Sequence, residues 1–153
     1  MLRRPQLLLT LPLLAVALLL STTSAATAVQ RQVALSTYIH DNDGYVRASL
    51  KYDFKSRTSV STVMNAWDVC PGDGHGARAT LVVGYVGGGV QQRFAEDFTG
   101  CSNGGSGAVS YNFSGGGTRI EFVSFILEEL DCDNGSCRVV HSRITGKIPN
   151  PYR

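Results

Sequence analysis

The stretch that decides the fold runs from Thr118 to Thr145 and reads TRIEFVSFILEEL, then DCDNGSC, then RVVHSRIT. Asn134-Gly135 is a strong signal for a two-residue type I′ turn, because both central residues of that turn need a positive φ. The segments on either side are rich in β-branched and aromatic residues. The stretch therefore predicts a β-hairpin.

The turn also predicts how the two strands of the hairpin pair. It places Cys132 opposite Cys137 in a non-hydrogen-bonded pair, with Cα atoms about 4.5 Å apart, which a disulfide can bridge. Continued outward without interruption, the same register places Glu128 opposite His141. Such a pair would be a candidate acid–base couple if it lay in a cleft.

The first strand of the hairpin carries apolar residues on both faces. In a regular strand Ile120 and Phe122 share one face, and Val123, Phe125 and Leu127 share the other. Three explanations are open: the strand is covered on both sides, a bulge near Val123 swaps the faces, or an apolar patch faces a partner.

Residues 1–28 have the features of a secretory signal peptide. Arg3 and Arg4 form a basic start, an apolar run follows from Leu7 to Leu20, and Ala26-Thr27-Ala28 is a small-x-small cleavage site. The alternative is a membrane anchor, for which the apolar run is short. We expect a secreted, extracellular protein that has no membrane attachment after cleavage.

The charge balance argues against nucleic acid as a partner. The full chain has 14 Lys+Arg and 12 Asp+Glu. The predicted signal removes two arginines and no acid, so residues 29–153 contain 12 basic and 12 acidic residues. Such a chain lacks the basic excess that binding to a phosphate backbone requires.

The four cysteines all lie in the predicted mature chain, and an even number in an exported protein predicts disulfides. The hairpin pairs Cys132 with Cys137, which leaves Cys70 to pair with Cys101. A zinc site is the alternative, but the spacing does not resemble the usual zinc motifs. We expect two disulfides, no metal and no cofactor.

Residues 29–153 predict a single all-β domain. Short alternating segments recur between glycine-rich turns, and no segment shows a capped helical period. About seven strands at this spacing indicate an antiparallel β-sandwich or a small barrel. Trp67 is expected in the core. The segments 29–33 and 149–151 are expected to be loose.

Two loops carry the remaining polar candidates. Asp73 and His75 lie in the glycine-rich loop CPGDGHG, and His40 and Asp43 lie in the loop HDNDG. These side chains offer oxygen and nitrogen atoms to a ligand. The alternative is that both loops are solvated turns whose glycines satisfy positive φ angles.

Two functional hypotheses follow from these features. The first is a small secreted binding module, inhibitor-like in size and character, that engages a protein or a glycan through loops or an apolar patch. The second is a small secreted hydrolase that uses the loop histidines and aspartates with strand glutamates, among them Glu96, Glu121 and Glu128. No nucleophile or metalloprotease motif is present, which favours the binding module.

Overall fold

The structure is a computed structural model that describes residues 31–38, 45–69, 75–99 and 105–152. Within these ranges the regular elements are nine β-strands, without any helix. The all-β prediction is confirmed, although the expected number of strands was about seven. The strands are β1 (Arg31–Tyr38), β2 (Tyr45–Phe54), β3 (Ser59–Val69), β4 (His75–Tyr85), β5 (Val90–Asp97), β6 (Val109–Ser114), β7 (Ile120–Asp133), β8 (Ser136–Ile144) and β9 (Ile148–Pro149).

The strands form two antiparallel sheets. The four-stranded sheet has the order β1-β2-β3-β6. The five-stranded sheet has the order β5-β4-β7-β8, and β9 pairs with the first residues of β7, which β8 does not reach. The edges of the five-stranded sheet are β5 and β8, at opposite ends of its strand order.

The hydrophobic core draws side chains from both sheets. In β2 and β3 every second residue is buried, which is the period that one covered face of a strand produces. Leu50 and Met64 from the four-stranded sheet and Leu81 and Phe125 from the five-stranded sheet are all fully buried in one cluster. Each such side chain stabilises the fold by roughly 1.5–3 kcal/mol.

The hairpin between β7 and β8 forms at the predicted turn. Asn134 and Gly135 have φ angles of 49° and 79°, as a type I′ turn requires. Cys132 pairs with Cys137, and the two form a disulfide with Cα atoms 4.1 Å apart. The register next to the turn is therefore confirmed.

A bulge explains the apolar residues on both faces of β7. Gly84 pairs with Phe122, but the next residue, Tyr85, pairs with Ile120, so Glu121 is the extra residue. The bulge lies at Glu121 and not near Val123 as expected. It turns Ile120 into the core while Phe122 lies on the opposite face, over Gly84.

The strands at both ends of the described chain are better ordered than expected. Residues 31–33 belong to β1, which pairs with β2 along its whole length. Near the other end Asn150 is buried, and its side-chain amide donates to the carbonyls of Ser56, Arg57 and Ile120. The prediction of loose segments at 29–33 and 149–151 was wrong for residues 31–33 and 149–151, because pairing and one buried amide hold them, and residues 29 and 30 lie outside the described residues.

The side of the molecule where β5 meets β6 is covered by Arg93. Its guanidinium lies 6.0 Å from the ring centroid of Tyr111 and 5.9 Å from that of Phe113. Burial raises the pKa of nearby Tyr85, and the positive charge of Arg93 opposes that rise. Arg93 thus extends across the gap between the two sheets.

Candidate functional site

Several of the predicted site residues lie outside the described residues. They are the loop residues His40, Asp43 and Asp73 and the cysteines Cys70 and Cys101. His75 is the first residue of β4, and its backbone pairs with Asp131 of β7. The proposed loop sites and the second disulfide stay predictions.

The predicted pair of Glu128 and His141 does not form. Leu130 pairs with Val139, but the next residue, Glu129, pairs with His141, so β8 contains one extra residue. The register moves by one, and Glu128 pairs with Ser142. A bulge of this kind exchanges which of two neighbouring glutamates lies opposite the histidine.

Glu128 lies on the outer face of the five-stranded sheet, where it belongs to a charged cluster. The Arg78 Nε donates to Glu96 Oε1 at 2.6 Å, and Arg78 Nη1 lies 3.9 Å from Glu128 Oε2. The Thr80 hydroxyl donates to the same Glu128 oxygen at 3.4 Å. One arginine between two carboxylates is an ion-pair arrangement, which leaves neither acid as an obvious general base.

Glu129 faces the interior, at the end of the core near the first residues of β4. Asp97, Ala77, Glu129 and His141 lie in one row across the strands of the five-stranded sheet. Glu129 is fully buried, and Asp97 is 2 % exposed. Asp97 accepts the backbone N–H of Asp68 at one oxygen and the N–H and hydroxyl of Thr99 at the other, so its role is structural.

The described residues contain no group of three or more metal-ligating side chains that could hold an ion.

The most distinctive surface is the outer face of the five-stranded sheet. Among the described residues six large hydrophobic side chains are exposed, and five of them lie on this face. Four of them are placed on this face by pairing with outward residues of β4 and β7. Phe98 lies on it because its ring packs over Gly76. The five are Val90, Phe94, Phe98, Val139 and Ile144, with exposed fractions of 58 %, 57 %, 48 %, 48 % and 63 %.

These side chains surround the charged cluster in rows. Phe94, Thr80, Ile126 and Ile144 form one row across four strands, next to the row that holds Arg78 and its two glutamates. An apolar surface with a few placed charges is typical of a protein–protein interface. We call this surface, made of the five exposed side chains and the Arg78 cluster, the apolar face.

A cleft lies at one end of the apolar face, between the start of β7 and the segment after β8. Its volume is about 360 Å³. The Lys147 ammonium lies 4.5 Å from the ring centroid of Phe122 on its wall. The other lining residues include charges of both signs and one aromatic ring: Arg119, Ile120, Glu121, Pro149, Asn150 and Tyr152.

Trp67 is not in the core, contrary to the prediction. It lies half-buried on the outer face of the four-stranded sheet, because the even-numbered residues of β3 face inward. The Arg47 guanidinium lies 4.8 Å from its ring centroid, and Gly105 contacts its ring from the adjoining loop. The chain itself therefore covers this tryptophan, which makes it a poor anchor for a partner.

Sequence reasoning missed the exposed apolar residues of β5 and Phe98, which follows β5 directly. Val90, Phe94 and Phe98 recur every four residues in VQQRFAEDF, which places them on one face of an extended segment. This spacing was the available signal. Because polar residues separate the three, the segment resembles an ordinary half-buried strand, and the pattern alone does not indicate an exposed apolar surface.

Comparison with known proteins adds no relative to these observations: no family model, no curated protein and no solved structure matches the chain. The described part of the chain contains no helix with the length and hydrophobicity needed to cross a membrane.

Proposed function

We propose that this chain is a secreted binding module whose two sheets form a sandwich and whose protein partner docks on the apolar face. The observation that carries this proposal is the concentration of five exposed large hydrophobic side chains on one sheet. Contiguous exposed apolar surface of this kind marks interaction sites in soluble proteins. Secretion is supported by the signal-like segment 1–28 and by the Cys132–Cys137 disulfide.

A protein fits the apolar face better than a glycan does. The exposed side chains are valine, isoleucine and phenylalanine, which offer no hydrogen bonds. The nearby polar groups of Arg78, Glu96 and Glu128 already bond to one another. Sugar hydroxyls buried against such a surface would be left without partners, which is costly.

The alternative function, a small secreted hydrolase, has less support. Glu96 and Glu128 share Arg78, and both oxygens of Asp97 accept hydrogen bonds. The remaining candidates for its chemistry include the loop residues His40, Asp43 and Asp73. A purified chain that hydrolyses a substrate, and loses that activity in Asp73→Asn, would favour this function over the binding module.

Site-specific photo-cross-linking tests the proposed surface. A photoreactive residue at Ile144 reports on the apolar face, and one at Lys51 reports on the exposed outer face of the four-stranded sheet. In the medium of the cells that secrete the protein, we expect a defined adduct from position 144 only. An excess of unlabelled wild-type chain should compete the adduct away, and the double variant Phe94→Ser, Ile144→Ser should not.

The cross-linked protein is then identified by mass spectrometry and purified. We expect this partner to bind the double variant at least about 30-fold more weakly than the wild-type chain, which is the size of effect that loss of interface anchors produces. Equal adducts from both positions, or equal affinity of wild type and double variant, would contradict a partner on the apolar face.

A further inference from the structure

We propose that β5 pairs with β5 of a second copy of this chain, antiparallel and centred on Phe94, to join two five-stranded sheets into one. The proposal goes beyond the proposed function, because it concerns the backbone edge of β5 and a copy of the same chain. A different protein on the apolar face is neither required nor excluded by it.

The first observation is that the edge of β5 faces outward with its hydrogen-bonding groups. Within the described residues β5 pairs with β4 along one edge, and no strand pairs with its other edge. The Tyr85 N–H donates to the Gly89 carbonyl at 2.8 Å, which makes these two a hydrogen-bonded pair. Because bonded and non-bonded pairs alternate along antiparallel strands, the N–H and C=O of Phe94 point away from β4.

A side-chain contact supports this direction independently. The Tyr111 hydroxyl, from the edge strand β6 of the other sheet, donates to the Phe94 carbonyl at 2.9 Å. That carbonyl can be reached in this way only if it is directed away from β4. A carbonyl oxygen has two lone pairs, so it can accept an N–H from a second strand as well. An edge of this length with open backbone groups is a template for another strand.

The second observation is that the side chains of β5 match themselves. In an antiparallel pairing centred on Phe94, the two Phe94 rings meet, and Val90 lies opposite Phe98 of the second copy. Gln92 lies opposite Glu96 of the second copy. On the inner face, Arg93 lies opposite the small Ala95. Apolar side chains face apolar ones, and no like charges face each other.

Neighbouring registers lose this match. Centred on Arg93, the pairing sets two arginines against each other and places Val90 opposite Glu96. Centred on Ala95, it places Phe94 opposite Glu96. The exposed fractions of Val90, Phe94 and Phe98, which are 58 %, 57 % and 48 %, supply the apolar surface that the favoured register covers. A two-fold interface needs this kind of self-complementary patch.

Analytical ultracentrifugation of the purified mature chain tests the association. We expect a reversible dimer whose dissociation constant rises at least about 30-fold in Phe94→Lys, which sets two ammonium groups together at the two-fold axis. Ile144→Lys is the matched control, since it adds the same charge to an equally exposed position on the same face but at the far edge. It should leave the dimer intact.

Cysteine cross-linking tests the register with variants that keep Phe94. Under mild oxidation, Gln92→Cys mixed with Glu96→Cys should form a mixed disulfide dimer, and each variant alone should stay largely uncross-linked. A wild-type chain that remains monomeric at about 1 mM, weaker than ordinary specific association, overturns the proposal. So does dissociation by Ile144→Lys equal to that by Phe94→Lys, or efficient cross-linking of Gln92→Cys with itself.

Discussion

The outer faces of the two sheets treat their large apolar side chains in opposite ways. On the four-stranded sheet Trp67 is covered by Arg47 and by the loop at Gly105. The other outward residues of β2 and β3 in this sheet are mostly polar. On the five-stranded sheet Phe94 and Ile144 stand more than half exposed. The difference teaches that an outward aromatic residue indicates a binding surface only when its own chain leaves it uncovered.

The largest expected effect concerns the cover of Trp67. A Cβ added at Gly105 would lie 2.4 Å from the Trp67 ring and 2.6 Å from the Ala66 carbonyl oxygen, at a φ of +62°. We expect Gly105→Ala to lower the free energy of unfolding by about 3 kcal/mol, since left-handed strain and overpacking add together. Urea denaturation measures this change.

Gly107→Ala is the matched control for that variant. Gly107 also has a positive φ, +72°, but nothing lies within 4 Å of its added Cβ. It should cost only the backbone strain, about 1–2 kcal/mol. Equal costs for the two variants would mean that the loop does not pack on Trp67, and the contrast between the sheets would weaken.

Removal of the tryptophan itself should have an intermediate effect. Trp67→Ala in a core would cost about 3–5 kcal/mol, but a half-buried ring beside an arginine should cost about 2 kcal/mol. A double-mutant cycle with Arg47→Ala isolates the contact between ring and guanidinium, for which we expect a coupling of about 0.5–1 kcal/mol. A loss near 5 kcal/mol would place Trp67 in the core after all.

The smallest expected effect lies on the opposite sheet. At concentrations where the chain is monomeric, Phe94→Ser and Ile144→Ser should each change the free energy of unfolding by no more than about 0.5 kcal/mol, because exposed side chains contribute little to folding. Binding of a hydrophobic dye to the native chain should fall in the same variants. A stability loss above about 2 kcal/mol would show that these residues pack within the chain and do not form a docking surface.

Local chemistry is the part of this fold that sequence could predict. Asn134-Gly135 set the turn and the pairing of Cys132 with Cys137, because both depend on residues within a few positions of one another. The turn between β4 and β5 is equally local, with Gly87 and Gly88 at positive φ.

The positions of the two bulges were beyond prediction from the pattern. Each adds one residue, at Glu121 in β7 and beside Val139 in β8, within runs whose neighbours have similar β-propensity. The second bulge alone decides that His141 pairs with Glu129 and not with Glu128. Sequence alternation cannot reveal such a change, since either glutamate would form a favourable pair with the histidine.

The apolar face was not predicted: an apolar patch was one of three explanations for residues 120–127, and the five exposed side chains lie outside that segment. Alternation gives the two faces of a strand, but it does not say which of two apolar faces the other sheet will cover. That choice depends on packing between strands distant in sequence, such as β2 and β7, which place Leu50 and Phe125 in the common core.

The buried amide of Asn150 has a consequence for how the molecule opens. Its hydrogen bonds reach back 94 residues to Ser56, and its own N–H donates to the Glu121 carbonyl. These contacts join the segment around Asn150 both to the end of the five-stranded sheet and to the turn between β2 and β3. Amide hydrogens at Asn150 and Tyr152 should therefore exchange with solvent at the rate of global unfolding, in a proline-flanked segment whose composition alone suggests rapid local fraying.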